Sequence, residues 1–144
     1  MTSPLTRESA ARLRVALAPF ASAEAWRARI PFDPVQFPHR YSDPRDIEVA
    51  GFIAASLAYG RVALFTPQIA LILERLGAHP ARELASLSVG RAKEVVDGFL
   101  YRFNVPADMA VLLLGLGAAI KRGGSLENVF VSIFRQHHDW RLAM

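Results

Sequence analysis

The chain has 144 residues, enough for one domain and too few for two. Hydrophobic residues make up 52% of it, so a packed core is expected rather than disorder, and the lack of cysteine excludes disulfides, iron–sulfur clusters and thiolate zinc sites. Seventeen basic residues against thirteen acidic ones leave a net charge of +4, which is compatible with nucleic acid or another anionic surface as partner and is also common among soluble proteins without one.

The N-terminus, MTSPLTRESAARLR, has no long apolar core and no cleavage pattern, so no signal peptide is expected. Ser3-Pro4 reads as an N-cap followed by proline in the first turn. Leu5, Leu13, Ala16, Leu17 and Phe20 then form a helical stripe that Pro19 closes, while Arg7, Arg12 and Arg14 face water. A short helical piece from Ala23 to Ile30 follows. From Pro31 to Pro44 the chain reads PFDPVQFPHRYSDP, and its four prolines forbid a regular helix. Phe32, Val35, Phe37 and Tyr41 within it predict an ordered, extended connection pinned to the core by its aromatics.

Asp43 caps the next helix, Pro44 occupies its first turn, and Asp46 adds negative charge near its positive end. The run IEVAGFIAASLAY is apolar nearly all round, which predicts a central, buried helix. Gly51, Ala55 and Ala58 form a small-residue side open to a neighbouring helix, and Gly60 is the expected left-handed cap. Val62, Phe65, Ile69, Ile72, Leu73 and Leu76 give the following helix its stripe. Thr66-Pro67 kinks that helix or marks its start, and Gly77 ends it. Short helices are predicted over Pro80–Leu87 and Arg91–Asp97. GFLYRFN, Gly98 to Asn104, is an irregular aromatic connection. A long helix runs from Pro106 to Arg122 and closes at Gly123-Gly124. Ser125 caps the last helix, with the stripe Leu126, Val129, Phe130, Ile133 and Phe134.

The longest apolar run, Met109 to Ile120, falls well short of the roughly 20 residues a membrane span needs, so no membrane partner and a cytoplasmic location are expected. No segment alternates at period two and no repeat is present. The expectation is an all-α fold, a compact bundle of about six or seven helices without sheet, forming a single domain over residues 1–144. Trp140 and Leu142 lie at the end with no stop signal after them, so the domain is expected to continue beyond Met144.

Four features are candidate sites. GLG at Gly115–Gly117 resembles the glycine turn of a DNA-binding helix-hairpin-helix and also a fragment of a nucleotide loop. It lies inside a helical run, however, and there reads as a helix packed tightly on a neighbour. His137, His138 and Asp139 do not share a helix face, so they read as a solvated helix end and not as a metal site. His39-Arg40-Tyr41 and Tyr101-Arg102-Phe103 each set an arginine beside aromatic rings in an irregular segment. Each can present that arginine to a phosphate or use it to cap a helix or pair with Asp43 or Asp46. Tyr59-Gly60-Arg61 interrupts two apolar helices with a phenol, a bare backbone and a fixed cation. That is an anion-friendly turn, or else a plain corner with a snorkelling arginine. No Ser-His-Asp or Cys-His arrangement and no carboxylate pair stands out, so no catalytic residue, metal or cofactor is expected within these residues.

The segments DPVQFPHRYSDPRDIEVAGFIAASLAYGRV, LERLGAHP, FLYRFN and GSLENVF together resemble the N-terminal part of a bacterial family of uncharacterised proteins, over roughly Asp33 to Phe134. That family is distantly similar to helix-hairpin-helix base-excision DNA glycosylases, in which an apolar helix ends in a short polar turn that approaches DNA. AGFIAASLAYGRVALF has this layout, and the resemblance implies a DNA-facing role for Tyr59, Gly60 and Arg61. The glycosylase turn is usually glutamine-rich, whereas this one reads Tyr-Gly-Arg. The glycosylase hairpin, with its lysine and catalytic aspartate, has no counterpart here. The function expected is therefore nucleic-acid binding by a glycosylase-like helical domain. In it Arg40, Arg61 and Arg102 contact the phosphates of duplex or damaged DNA, Tyr59 stacks on or wedges a base and Gly60 bares the backbone between them. The alternative is a structural or interaction module that packs an apolar surface on a C-terminal half or on a second copy.

Overall fold

The computed structural model describes residues 6–138. The backbone divides into two compact units, Met1–Asp33 and Pro34–Met144. The expected start at Ser3-Pro4, Leu5 of the first stripe, and Trp140 and Leu142 lie outside the described residues.

In the first unit, Thr6 is extended and its hydroxyl accepts the Ser9 N–H, which caps α1 (Arg7–Leu17). Ser22 caps α2 (Ala23–Arg27) in the same way. Neither helix buries a residue, and Leu13, Leu17 and Phe20 of the expected stripe are exposed. Helices this short offer each other too little surface to cover an apolar face.

The proline-rich segment is not extended. It forms single 3-10 turns at Ile30–Phe32, Pro34–Gln36 and Pro38–Arg40. A proline at the start of a tight turn already has the required φ and gives up an N–H that would be unpaired there. Phe37 is fully buried and Tyr41 partly so, which anchors the segment as expected, whereas Phe32 and Val35 are exposed.

The second unit is built around α3 (Pro44–Leu57), whose Asp43 cap accepts the Arg45 N–H at 2.9 Å. Its buried stripe runs through Val49, Ala50, Ile53, Ala54 and Leu57, while Ile47 and Phe52 remain partly in water. Gly51 has open space where a Cβ would sit, and Ala55 and Ala58 are exposed, so the small-residue side does not receive a helix. The helix α4 (Val62–Leu76) runs on through Pro67 and buries Phe65, Ile69, Ile72, Leu73 and Leu76, but Val62 stays exposed. After it come α5 (Pro80–Ala85), α6 (Val89–Val95), α7 (Pro106–Gly123) and α8 (Leu126–His137). The glycine approach that does occur is on α7. A Cβ on Gly117 would collide with the Leu84 carbonyl of α5, whereas Gly115 faces open space.

Side chains satisfy helix ends across the unit, where backbone groups have no partner within their own helix. Asp46 Oδ1 accepts the Ala81 N–H at 2.9 Å in the first turn of α5. Glu48 Oε2 accepts the N–H groups of Leu126 at 2.8 Å and Glu127 at 3.3 Å at the start of α8, beside the Ser125 cap. Arg75 donates to the carbonyls of Glu94, Val95 and Asp97 at the end of α6. The fold is all-α, and among the described residues the only β-type pairing is one isolated bridge between Tyr101 and Asn104. Among those residues no single helix is long and apolar enough to cross a membrane.

Candidate functional site

The corner between α3 and α4 is the place where the apolar pattern breaks. The last turn of α3 tightens, with the Ala58 N–H on the Ala55 carbonyl and the Tyr59 N–H on the Leu57 carbonyl. Gly60 then adopts φ +87°, and Arg61 serves as N-cap of α4 through its backbone, leaving its side chain out of the cap. Gly60 was expected to close the helix. Instead it turns the chain three residues after Leu57.

The loop between α6 and α7 is packed onto this corner. Tyr101 is buried, and its ring centroid lies 5.0 Å from Tyr59 and 6.4 Å from Phe65. Its hydroxyl donates to the Tyr59 carbonyl. Paired backbone bonds between Tyr101 and Asn104, at 3.2 and 2.9 Å, close a tight turn with Arg102 and Phe103 at its tip. Arg102 adopts φ +54°, and Leu100 N–H donates to Gln68 Oε1, which ties the loop to α4.

The two segments therefore form one surface. Arg102 Cζ lies 5.8 Å from the Tyr59 ring and 5.8 Å from the Phe103 ring, within cation–π range. A Cβ on Gly60 would stand 2.5 Å from Arg102 Nη1 and 2.9 Å from the Tyr101 hydroxyl. Glycine is thus needed there for its positive φ, and the ends of the Arg102 and Tyr101 side chains fill the space above it. Among the described residues neither the Arg61 nor the Arg102 side chain has a hydrogen bond or ion pair, and both residues are exposed. The always-charged Arg102 fork between two aromatic rings, with exposed Arg61 next to Gly60 in the chain and no carboxylate paired to either arginine, can take a phosphate and a planar ring at once.

Arg40 is not part of this cluster. Its guanidinium stands 4.5 Å over the Phe37 ring and donates to Gln36 Oε1 at 3.3 Å. Asp43 pairs with Arg45, and Asp46 with α5, so the carboxylates considered as partners for Arg40 are engaged elsewhere. The bonds from Arg45 hold the Asp43 carboxyl down at about 2, against an ordinary 3.8. His137 ends α8 and His138 is its exposed C-cap, while Asp139 lies outside the described residues. Among the described residues no cluster of three His, Asp or Glu side chains could hold a metal.

One polar pair escaped the sequence reading. Asp46 is buried, and its Oδ2 lies 3.2 Å from His79 Nδ1 in a cleft that Arg45 and Arg82 also line. Asp46 falls in phase with Val49, Ala50 and Ile53, so its spacing to the core stripe was the available signal. Its other oxygen holds the start of α5, which gives the pair a structural task. Tyr101 and Phe103 flank Arg102 in the sequence, but packing sets their separate roles, base and tip of the turn.

A family model described as "Protein of unknown function (DUF2400)" matches residues 33–143. No curated protein and no solved structure matches the chain.

Proposed function

The chain belongs to the DUF2400 family, and from the geometry of the α3–α4 corner we propose that it binds nucleic acid, in the manner of the polar DNA-facing turn of helix-hairpin-helix DNA glycosylases. The observation that carries this reading is the joining of Tyr59-Gly60-Arg61 with the Arg102-Phe103 turn into one cationic, aromatic surface whose guanidinium groups have no carboxylate partner among the described residues. Arg61 and Arg102 take phosphates, Tyr59 offers a face to a base, and Gly60 keeps the backbone low enough for both. Arg40 adds a phosphate contact of its own. The reading is one of binding; it assigns no catalytic role to any of these residues.

Fluorescence anisotropy with a labelled DNA duplex at low salt tests it. Non-specific contacts of this kind give dissociation constants of roughly 10⁻⁴–10⁻⁶ M at physiological salt and tighter ones at low salt. Arg61→Ala and Arg102→Ala should each weaken binding. Absence of binding at low salt, or no effect from either substitution, refutes the reading.

A second reading rests on α8. None of its residues is buried, and the stacked rings of Phe130 and Phe134, 6.5 Å apart, are 38% and 40% exposed. On that reading the chain is an interaction module whose α8 stripe packs on a C-terminal continuation or on a second copy. Light scattering that shows a concentration-dependent dimer, lost in Phe134→Ser, supports the second copy, and a monomer at all concentrations counts against it.

A further inference from the structure

Phe103 is 82% exposed, a large ring left in water at the tip of a turn whose base is rigid. Single exposed hydrophobes are ordinary, but the setting of this one is not. The turn is locked by the two Tyr101–Asn104 backbone bonds and by the buried Tyr101 ring, so the tip is held out from the unit. Behind the ring, Arg102 Cζ sits at 5.8 Å, with the Tyr59 ring at the same distance on the guanidinium. The order across the surface is ring, cation, ring, and the exposed residue Arg61 follows Gly60 at the neighbouring corner.

We propose that Phe103 is a stacking wedge for an unpaired base, and that the preferred ligand of this surface is DNA with an extrahelical or single-stranded base between its phosphates. This rests on the reading of the corner as a nucleic-acid surface and narrows it to a substrate class. In an intact duplex both faces of each base are already stacked, so a protein ring gains a face only after the duplex has been opened. At a bulge or in a single strand that opening has been done. A phenyl ring takes any base, because every base has a π face, so selectivity is for the unpaired state and not for sequence. Arg102, directly behind the ring, then lies where the phosphate of the stacked nucleotide passes.

The test is anisotropy with three fluorescein-labelled probes at one low salt concentration: an intact duplex, the same duplex carrying a one-nucleotide bulge, and the single strand. Wild type should bind the bulged probe and the single strand roughly tenfold more tightly than the intact duplex. Phe103→Ala should abolish that preference by weakening the bulged probe and the single strand to the level of the intact duplex, and Phe103→Trp should keep it. The side chain is exposed, and circular dichroism of each variant confirms that the fold is intact. Equal affinity of wild type for all three probes overturns the wedge and leaves the DNA-binding reading standing, as does a preference that survives in Phe103→Ala. Failure to bind any probe overturns both.

Discussion

The two glycines of the GLG motif should respond to alanine in opposite directions. Both lie inside α7, where replacing glycine by alanine gains about 1 kcal/mol of helix propensity. At Gly115 a Cβ meets nothing within 4 Å, so Gly115→Ala should stabilise the protein by about that amount. At Gly117 the same Cβ runs into the carbonyl carbon and oxygen of Leu84. That obstacle is main chain in the last turn of α5, which cannot rotate aside as a side chain would. Overpacking costs about 1–3 kcal/mol, and a rigid obstacle belongs at the upper end, so the net loss for Gly117→Ala is about 2 kcal/mol. Urea unfolding followed by circular dichroism separates the two variants by the sign of the midpoint shift. If Gly117→Ala proves as stable as wild type, the close packing of α7 on α5 is wrong. If Gly115→Ala loses stability, the open space assigned to that face is wrong.

Asp46→Ala strands the buried Ala81 N–H and should cost about 2 kcal/mol in thermal unfolding, whereas Asp46→Asn keeps an acceptor for it and should cost visibly less; equal losses would show that the charge, not the cap, matters. The Asp43 carboxyl, held at about 2 by Arg45, should rise part of the way toward 3.8 in Arg45→Ala, measured by NMR titration, because the backbone N–H of residue 45 still donates to it. The sign follows from the depressed value: whatever Asp43 contributes to stability is complete above the ordinary carboxylate range and is lost as pH falls from about 4 to about 2, and an unchanged titration in the variant contradicts the pairing.

Much of the helical order was legible because its signals are local. Asp43, Ser125, Gly77 and the Gly123-Gly124 pair act within one turn of the residues they cap or end, and the structure uses each of them there. The failures have a common cause in distance along the chain. Whether Gly51 or Gly117 receives a neighbour depends on which helix arrives, and nothing at either position says so. The prolines of Pro31–Pro44 forbid an α-helix but permit a 3-10 turn, and nothing local separates that turn from an extended run. Asp46 looked like a helix-dipole residue because its partners, His79 and Ala81, are more than thirty residues away. At the candidate site, Tyr59-Gly60-Arg61 stood out from its apolar flanks and Tyr101-Arg102-Phe103 from its irregular setting. Their meeting is a matter of a single hydroxyl, that of Tyr101 on the Tyr59 carbonyl, and of the room that Gly60 leaves for Arg102.

The most direct test of the nucleic-acid surface is the salt dependence of duplex binding in wild type and in the Arg61→Ala/Arg102→Ala double variant. Each phosphate neutralised contributes about −0.9 to the slope of log K against log salt on B-form DNA. If these two arginines contact phosphates, the double variant should show a slope shallower by about 2. A slope identical to that of wild type would contradict the account.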